Sequence, residues 1–147
     1  MNKALLVVAH GSRREASNDE VRALAARLSE LPDNGYDSVT AACLELAEPL
    51  IPDGVVNAVD AGAQEVVVLP YFLSAGRHVA TDIPAEVDKA VQLRPEASIR
   101  IAPYVGSMAA MTDLMMRTAS TRYCKDNPNC KLGDKAGLFT VCTDECD

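Results

Sequence analysis

The sequence predicts an α/β fold, a parallel four-stranded sheet with helices on both faces. Three observations carry that expectation. The strand candidates are continuous aliphatic runs, as buried parallel strands are, rather than the apolar–polar alternation of half-exposed ones. Between them lie segments with apolar residues at three- and four-residue spacing. The two kinds alternate as βαβαβαβα, and right-handed crossovers then bring the carboxyl ends of all four strands to one edge.

The elements follow in order. Lys3 to Ala9 is the first strand, far shorter than the roughly 20 apolar residues of a membrane span. It breaks off at His10, Gly11, Ser12, Arg13 and Arg14. Glu15 to Leu31 is a helix with Val21, Leu24, Ala25, Leu28 and Leu31 on one face, ended by Pro32, Asp33, Asn34 and Gly35. A second strand, Ser38 to Leu44, closes on Glu45. Glu48 and Pro49 open the next helix, with Ile51, Val55, Ala58 and Val59 inward and Gly62 as its C-terminal glycine. Glu65 to Tyr71 is the clearest strand, and Phe72 to His78 is a loop. Asp82 and Pro84 form the expected cap region of a third helix carrying Ile83, Val87, Ala90 and Val91. Ile99 to Ala102 is a short fourth strand. Met108, Met111, Met115 and Ala119 mark a fourth helix, and these methionines are expected in the core, where Met fills gaps readily. Beyond Tyr123 the character changes, with Cys124, Cys130, Cys142 and Cys146 close together and a small extra strand expected over Ala136 to Val141. The expected organisation is an α/β domain over 1–122 and a cysteine-bearing extension over 123–147.

Composition narrows the functions. The formal charge of −7 argues against a binder of nucleic-acid phosphates, which needs a cationic face. With no Trp, two Phe and four Tyr, base stacking is not its business either. A local cationic pocket remains open through Arg13, Arg14 and Arg77, suited to an anionic small molecule. Met1, Asn2 and Lys3 lead into too few apolar residues for a signal peptide, so the expectation is a cytoplasmic protein with no membrane partner. In that compartment five cysteines suggest thiols or metal ligands before disulfides.

The chain has only two histidines, and both follow predicted strands on the same rim, as Glu45 does. Two imidazoles and a carboxylate suit a divalent first-row metal such as Co(II) or Fe(II), and the same groups accept protons near neutral pH. A lone histidine is more often a loop residue with a satisfied hydrogen bond. Two of two on one edge weigh against that for the histidines, whereas Glu45 alone carries little weight. The Gly11-Ser12-Arg13 turn could form a phosphate nest, but it lacks the full Walker or dinucleotide glycine pattern. His10-Gly11 lacks the preceding arginine of the histidine phosphatases, and no Gly-x-Ser-x-Gly elbow is present.

Three stretches in register carry a resemblance: Val8 to Arg13, Leu44 to Pro49, and Val68 to Val79 followed by Asp82, Ile83 and Pro84. Together they resemble the CbiX/SirB family of sirohydrochlorin chelatases over about residues 3–120. The resemblance implies ATP-independent insertion of Co2+ or Fe2+ into sirohydrochlorin, on the way to cobalamin or sirohaem. It makes His10 and His78 the metal-binding and catalytic histidines and Glu45 the matching acidic residue. It also implies a short form, one half of the family's two-half chains, that pairs as a homodimer. Arg13, Arg14 and Arg77 would then pair with the substrate's carboxylates. Gly11, Ser12, Ser74 and Gly76 would let the ring approach.

Cys124, Cys130, Cys142 and Cys146 are enough thiols for an iron–sulfur cluster or Zn2+, though without the paired Cys-x2-Cys spacing of a zinc ribbon. The family resemblance favours the cluster, since some members carry one on such extensions. Free or reversibly paired thiols remain open. Two other functions stay in view: a metal or tetrapyrrole carrier using the same rim, and an iron–sulfur redox or sensing module built on the tail.

Overall fold

Burial of aliphatic side chains sets the order of the sheet. In the computed structural model, which describes residues 2–132, 135 and 137–143, β1 (Lys3–Ala9) is buried from Ala4 to Ala9. It is flanked by β2 (Ser38–Cys43) and β3 (Glu65–Pro70), and β4 (Ser98–Ile101) lies beyond β3. The order is β2-β1-β3-β4, every pair parallel, with Ala9 opposite Cys43 and Val8 opposite Pro70.

The two-residue period of a strand divides the apolar run between two faces. Ala4, Leu6, Val8, Val66 and Val68 pack under α2 (Ile51–Asp60) and α3 (Ile83–Leu93), meeting Ile51, Val55, Ile83, Val87 and Ala90. Leu5, Val7 and Val67 face the other way, onto Ala25, Val21 and Leu28 of α1 (Glu15–Glu30). Each fully buried aliphatic side chain is worth roughly 1.5–3 kcal/mol. β1 and β3 are therefore the frame from which the loops at their carboxyl ends hang.

The chain divides into two compact units, Met1–Met108 and Ala109–Asp147. The second contains α4 (Ala110–Ser120), a 3₁₀ turn at Cys124–Asp126 and the tail. No residue of α4 is buried. Met108 precedes the helix and is exposed, Met115 is 63 % exposed and Met111 is half-buried, so none of the three is in the core as expected. Helical spacing creates an apolar stripe, but burial needs a surface to cover it.

Three further differences from expectation bear on the site and the tail. The second helix starts at Ile51, with Pro52 rather than Pro49 in its first turn. His78–Asp82 is one π turn running straight into α3, and Asp82 has helical backbone angles and no capping bond, so its side chain is spent elsewhere. The expected extra strand is a single antiparallel bridge between Tyr123 and Val141, because Gly137 to Thr140 closes a turn instead; Ala136 lies outside the described residues. No helix among the described residues is long and apolar enough to cross a membrane.

Candidate active site

In this strand order the connections from β1 and β3, which are neighbours, leave to opposite faces of the sheet: α1 covers one and α3 the other. Such a switch point leaves a crevice beyond the strand ends, where open α/β sheets take their ligands. His10 follows β1 directly. The chain after β3 is pinned by the Tyr71 N–H donating to the Val8 carbonyl at 2.8 Å and the Gly106 N–H donating to the Phe72 carbonyl at 2.9 Å. It then returns His78 to His10, with ring centroids 4.6 Å apart and planes at 63°.

Glu45 arrives from β2. The β1–β2 ladder runs on past both strands, the Leu44 N–H donating to the Ala9 carbonyl at 2.9 Å and the Glu45 N–H to the His10 carbonyl at 3.1 Å. Gly11 allows this close approach: it sits at φ +92°, and a Cβ there would collide with the Glu45 carbonyl oxygen. Glu45 Oε1 lies 3.1 Å from His10 Nε2. The structure thus brings His10, Glu45 and His78 to one rim, and their side chains are 41 %, 55 % and 43 % exposed.

The hydrogen bonds of the two rings differ. His10 Nδ1 lies 2.9 Å from the Gly11 carbonyl, which can only accept, so Nδ1 carries a hydrogen. Its Nε2 faces a carboxylate, another acceptor. A neutral imidazole has one N–H, so the contact between Nε2 and Oε1 is a place suited to a second proton or a cation. His78 Nδ1 lies 2.8 Å from Asp82 Oδ2, which leaves Nε2 as the lone-pair nitrogen.

Arg13 and Arg14 are exposed, and so is Arg77, whose Nε stands 4.0 Å from Asp82 Oδ1. Ser74 and Gly76 are exposed in the loop after β3, and a Cβ on Gly76 would meet no described residue beyond its chain neighbours within 4 Å. Ser12 is gripped by Asn18. Its N–H donates to Asn18 Oδ1 at 2.9 Å, and its carbonyl accepts from Asn18 Nδ2 at 2.8 Å. Asn18 is 3 % exposed and also donates to Glu15 Oε2 at 3.3 Å. Arg22, and after it Asn18, hold the Glu15 carboxyl below the usual carboxylate range.

Sequence reasoning missed two of these residues. Asn18 lies where the apolar stripe Leu28, Ala25, Val21 reaches one turn further back, and a polar side chain on a buried stripe is the signal. Asp82 stands four residues after His78, one helical turn on. A hollow of about 510 Å³ opens along the β2 edge, lined by residues such as Ala25, Val39, Ala41, Gly54 and Ala58 and away from the rim.

In the second unit, the Cys124 N–H donates to the Thr140 carbonyl at 2.8 Å and the Cys142 N–H to the Arg122 carbonyl at 2.7 Å, so two short segments run side by side. The turn through Asn127 brings in Cys130, its N–H donating to the Asn127 carbonyl at 3.1 Å. The sulfurs of Cys124, Cys130 and Cys142 lie within 4.8 Å of one another, and Asn127 Nδ2 donates to Cys142 Sγ at 3.1 Å. Among the described residues this is the one group of three candidate metal ligands drawn so close. Cys146 lies outside the described residues. Cys43 in β2 is a separate matter: it is buried, and burial pushes its thiol up.

A family model, CbiX, matches residues 4–122. The sirohydrochlorin cobaltochelatase of Methanococcus maripaludis is 40% identical over 82 residues, 56% of this chain and 56% of that protein. The chloroplastic sirohydrochlorin ferrochelatase of Arabidopsis thaliana is 44% identical over 81 residues, 55% of this chain and 35% of that protein. The matched segment thus spans little more than half of the first relative's length and about a third of the second's. Among solved structures, the sirohydrochlorin chelatase SirB from Bacillus subtilis subspecies spizizenii in complex with cobalt superposes with a TM-score of 0.70 at 26% identity, covering 82% of this chain and 50% of that one. A CbiX protein from Marinobacter aquaeolei VT8 gives 0.69 at 27% identity, over 80% of this chain and 94% of that one.

Proposed function

The chain belongs to the CbiX family, and from that premise we propose that it inserts Co2+ or Fe2+ into sirohydrochlorin without ATP, as a step toward cobalamin or sirohaem. The observation that carries the reading is the rim itself: two imidazoles 4.6 Å apart with a carboxylate 3.1 Å from one of them, at a sheet switch point.

Insertion requires a metal ion held on an open face, a macrocycle laid over it, and removal of two pyrrole N–H protons. His78 offers Nε2 as a lone pair to the metal. His10 and Glu45 share one position between Nε2 and Oε1 suited to either the metal or a proton, which would let the pair bind the ion and collect one proton as it leaves for the ring, the second passing to solvent at the exposed rim. Arg13, Arg14 and Arg77 stand exposed around the rim, and their forked guanidinium groups suit the substrate's carboxylates. Ser12, Ser74 and the backbone at Gly11 and Gly76 bound the space for the ring. Imidazole and carboxylate accept cobalt and iron alike, and relatives are named for each.

The rest of the reading is coarser in support. The SirB chain is about twice the length matched, which favours two copies of this chain acting as a homodimer. The family match ends at residue 122, which favours a chelatase half-domain over 1–122 and a separate extension over 123–147. Cys124, Cys130 and Cys142 are close enough to hold an iron–sulfur cluster with Cys146, with Zn2+ the alternative. The cluster would supply electron transfer or structural bracing. A cytoplasmic location fits the substrate.

The test is anaerobic insertion with Co2+, Fe2+ and Ni2+ side by side, followed by the visible spectrum of sirohydrochlorin, alongside the spectrum of the protein as isolated. His10→Ala and His78→Ala should each lower insertion at least a hundredfold while circular dichroism is unchanged. Activity retained in both variants, or Co2+ binding without any spectral change in the tetrapyrrole, refutes the reading.

A further inference from the structure

His78 is not simply a loop histidine. It begins a single π turn, closed by the Ile83 N–H donating to the His78 carbonyl, and Asp82 ends that turn. Isolated π turns recur at functional sites because the wider turn re-aims side chains. Here it brings Asp82 Oδ2 within 2.8 Å of His78 Nδ1. Asp82 makes no capping bond to α3 despite standing at its start. Among the described residues its other oxygen has only Arg77 at 4.0 Å, a side chain 86 % exposed, so the tie to His78 is the short contact that defines this carboxylate.

From this geometry we infer that Asp82 is a positioning residue, which by accepting the Nδ1 hydrogen of His78 fixes that ring in one tautomer and presents Nε2 as the donor to a divalent metal ion. A carboxylate acceptor leaves the ring no other neutral arrangement, because the hydrogen has to lie on Nδ1. The same bond holds the ring plane. The contrast with His10 gives the two rings different tasks. The Nδ1 of His10 is tied to a backbone carbonyl of its own loop and its Nε2 to Glu45, so it is already engaged at both ends. His78 is engaged at one. This assignment rests on reading His78 as a metal ligand, and its test separates the two ideas.

With only two histidines in the chain, long-range proton–nitrogen spectra of the ¹⁵N-labelled protein contain two ring systems, and His78→Ala identifies which is which. They are recorded at about pH 8.5, above the ordinary imidazole pKa of about 6.5. The wild type should show His78 with hydrogen on Nδ1 and a bare Nε2, and Asp82→Ala should turn it into a mixture of tautomers. Titration with Co2+ followed by visible absorption should show Asp82→Ala weakening binding by about 10–100-fold, with urea melts like wild type. An unchanged His78 tautomer in Asp82→Ala overturns the inference. So does unchanged Co2+ affinity in Asp82→Ala where His78→Ala loses it. Co2+ affinity unmoved by His78→Ala as well overturns the metal-ligand reading, and with it the metal-presenting half of the inference; the tautomer result then shows only that Asp82 orients the ring.

Discussion

Two glycines border the rim, and the structure gives them opposite expectations. Gly11 lies at φ +92°, where an L-residue pays about 1–2 kcal/mol. A methyl group there collides with the Glu45 carbonyl oxygen, and backbone has to move. The movement opens the hydrogen bond from the Glu45 N–H to the His10 carbonyl, worth about 1 kcal/mol net. Gly11→Ala should therefore destabilise the protein by about 2–3 kcal/mol in all. Urea titration would read this as a lower midpoint with an unchanged slope. In the fraction still folded, Glu45 is displaced from His10, and insertion should fall more than tenfold. Gly76→Ala is the control, since among the described residues nothing beyond its chain neighbours lies within 4 Å of its added methyl. Its stability should change by less than about 0.5 kcal/mol, while the KM for the tetrapyrrole rises if the ring lies against this loop. Gly11→Ala as stable as wild type, or less harmful to stability than Gly76→Ala, would refute the reasoning.

Asn18→Ala strips the hydrogen-bond partners from the Ser12 N–H and carbonyl and should cost about 1–3 kcal/mol in the same urea assay; a cost within error of zero would mean that water replaces the clamp. Cys43, whose thiol burial pushes up, should resist alkylation at about pH 8 in the folded protein and react at an ordinary rate in urea. Equal rates in both conditions would contradict its burial. Arg94 bonds Asp60 and holds its carboxyl below the usual range, so this pair adds stability above the unfolded carboxylate's pKa that disappears as pH falls through the folded value. Wild type and Arg94→Ala should therefore differ most near neutrality and converge in acid melts; a gap that widens toward low pH has the wrong sign. Replacing Cys124 and Cys130 together by Ser should abolish any colour or bound zinc measured in the isolated protein and leave insertion within about twofold. Loss of insertion with an intact fold would place the tail in the chemistry.

The sheet was legible because β1 and β3 are written as unbroken aliphatic runs, which only burial on both faces explains. The order of elements alone then puts His10, Glu45 and His78 on one edge. What could not be read was the second layer of support. Asp82 looks like a helix cap because Asp followed closely by Pro84 is a helix-start pattern, and only the backbone angles at Asp82 show otherwise. Asn18 was hidden among polar helix residues, although it continues the buried stripe of Val21, Ala25 and Leu28. The methionines of α4 misled for the opposite reason: periodicity reports which face is apolar and says nothing about what covers it. The tail cysteines are brought together by the pairing of 122–124 with 140–142, a link between segments that spacing along the chain does not encode.

The rim joins donors of unequal permanence. His10 directly follows β1, an interior strand, and His78 begins the turn into α3, whose Ile83, Val87 and Ala90 are packed in the core, whereas Glu45 follows β2, an edge strand with one paired side. Fluctuation at that edge can withdraw the carboxylate while both imidazoles stay fixed. The site therefore has a slow side and a fast side. An ion retained by the slow side can lose its third ligand, and the proton position beside His10, many times before the protein itself comes apart.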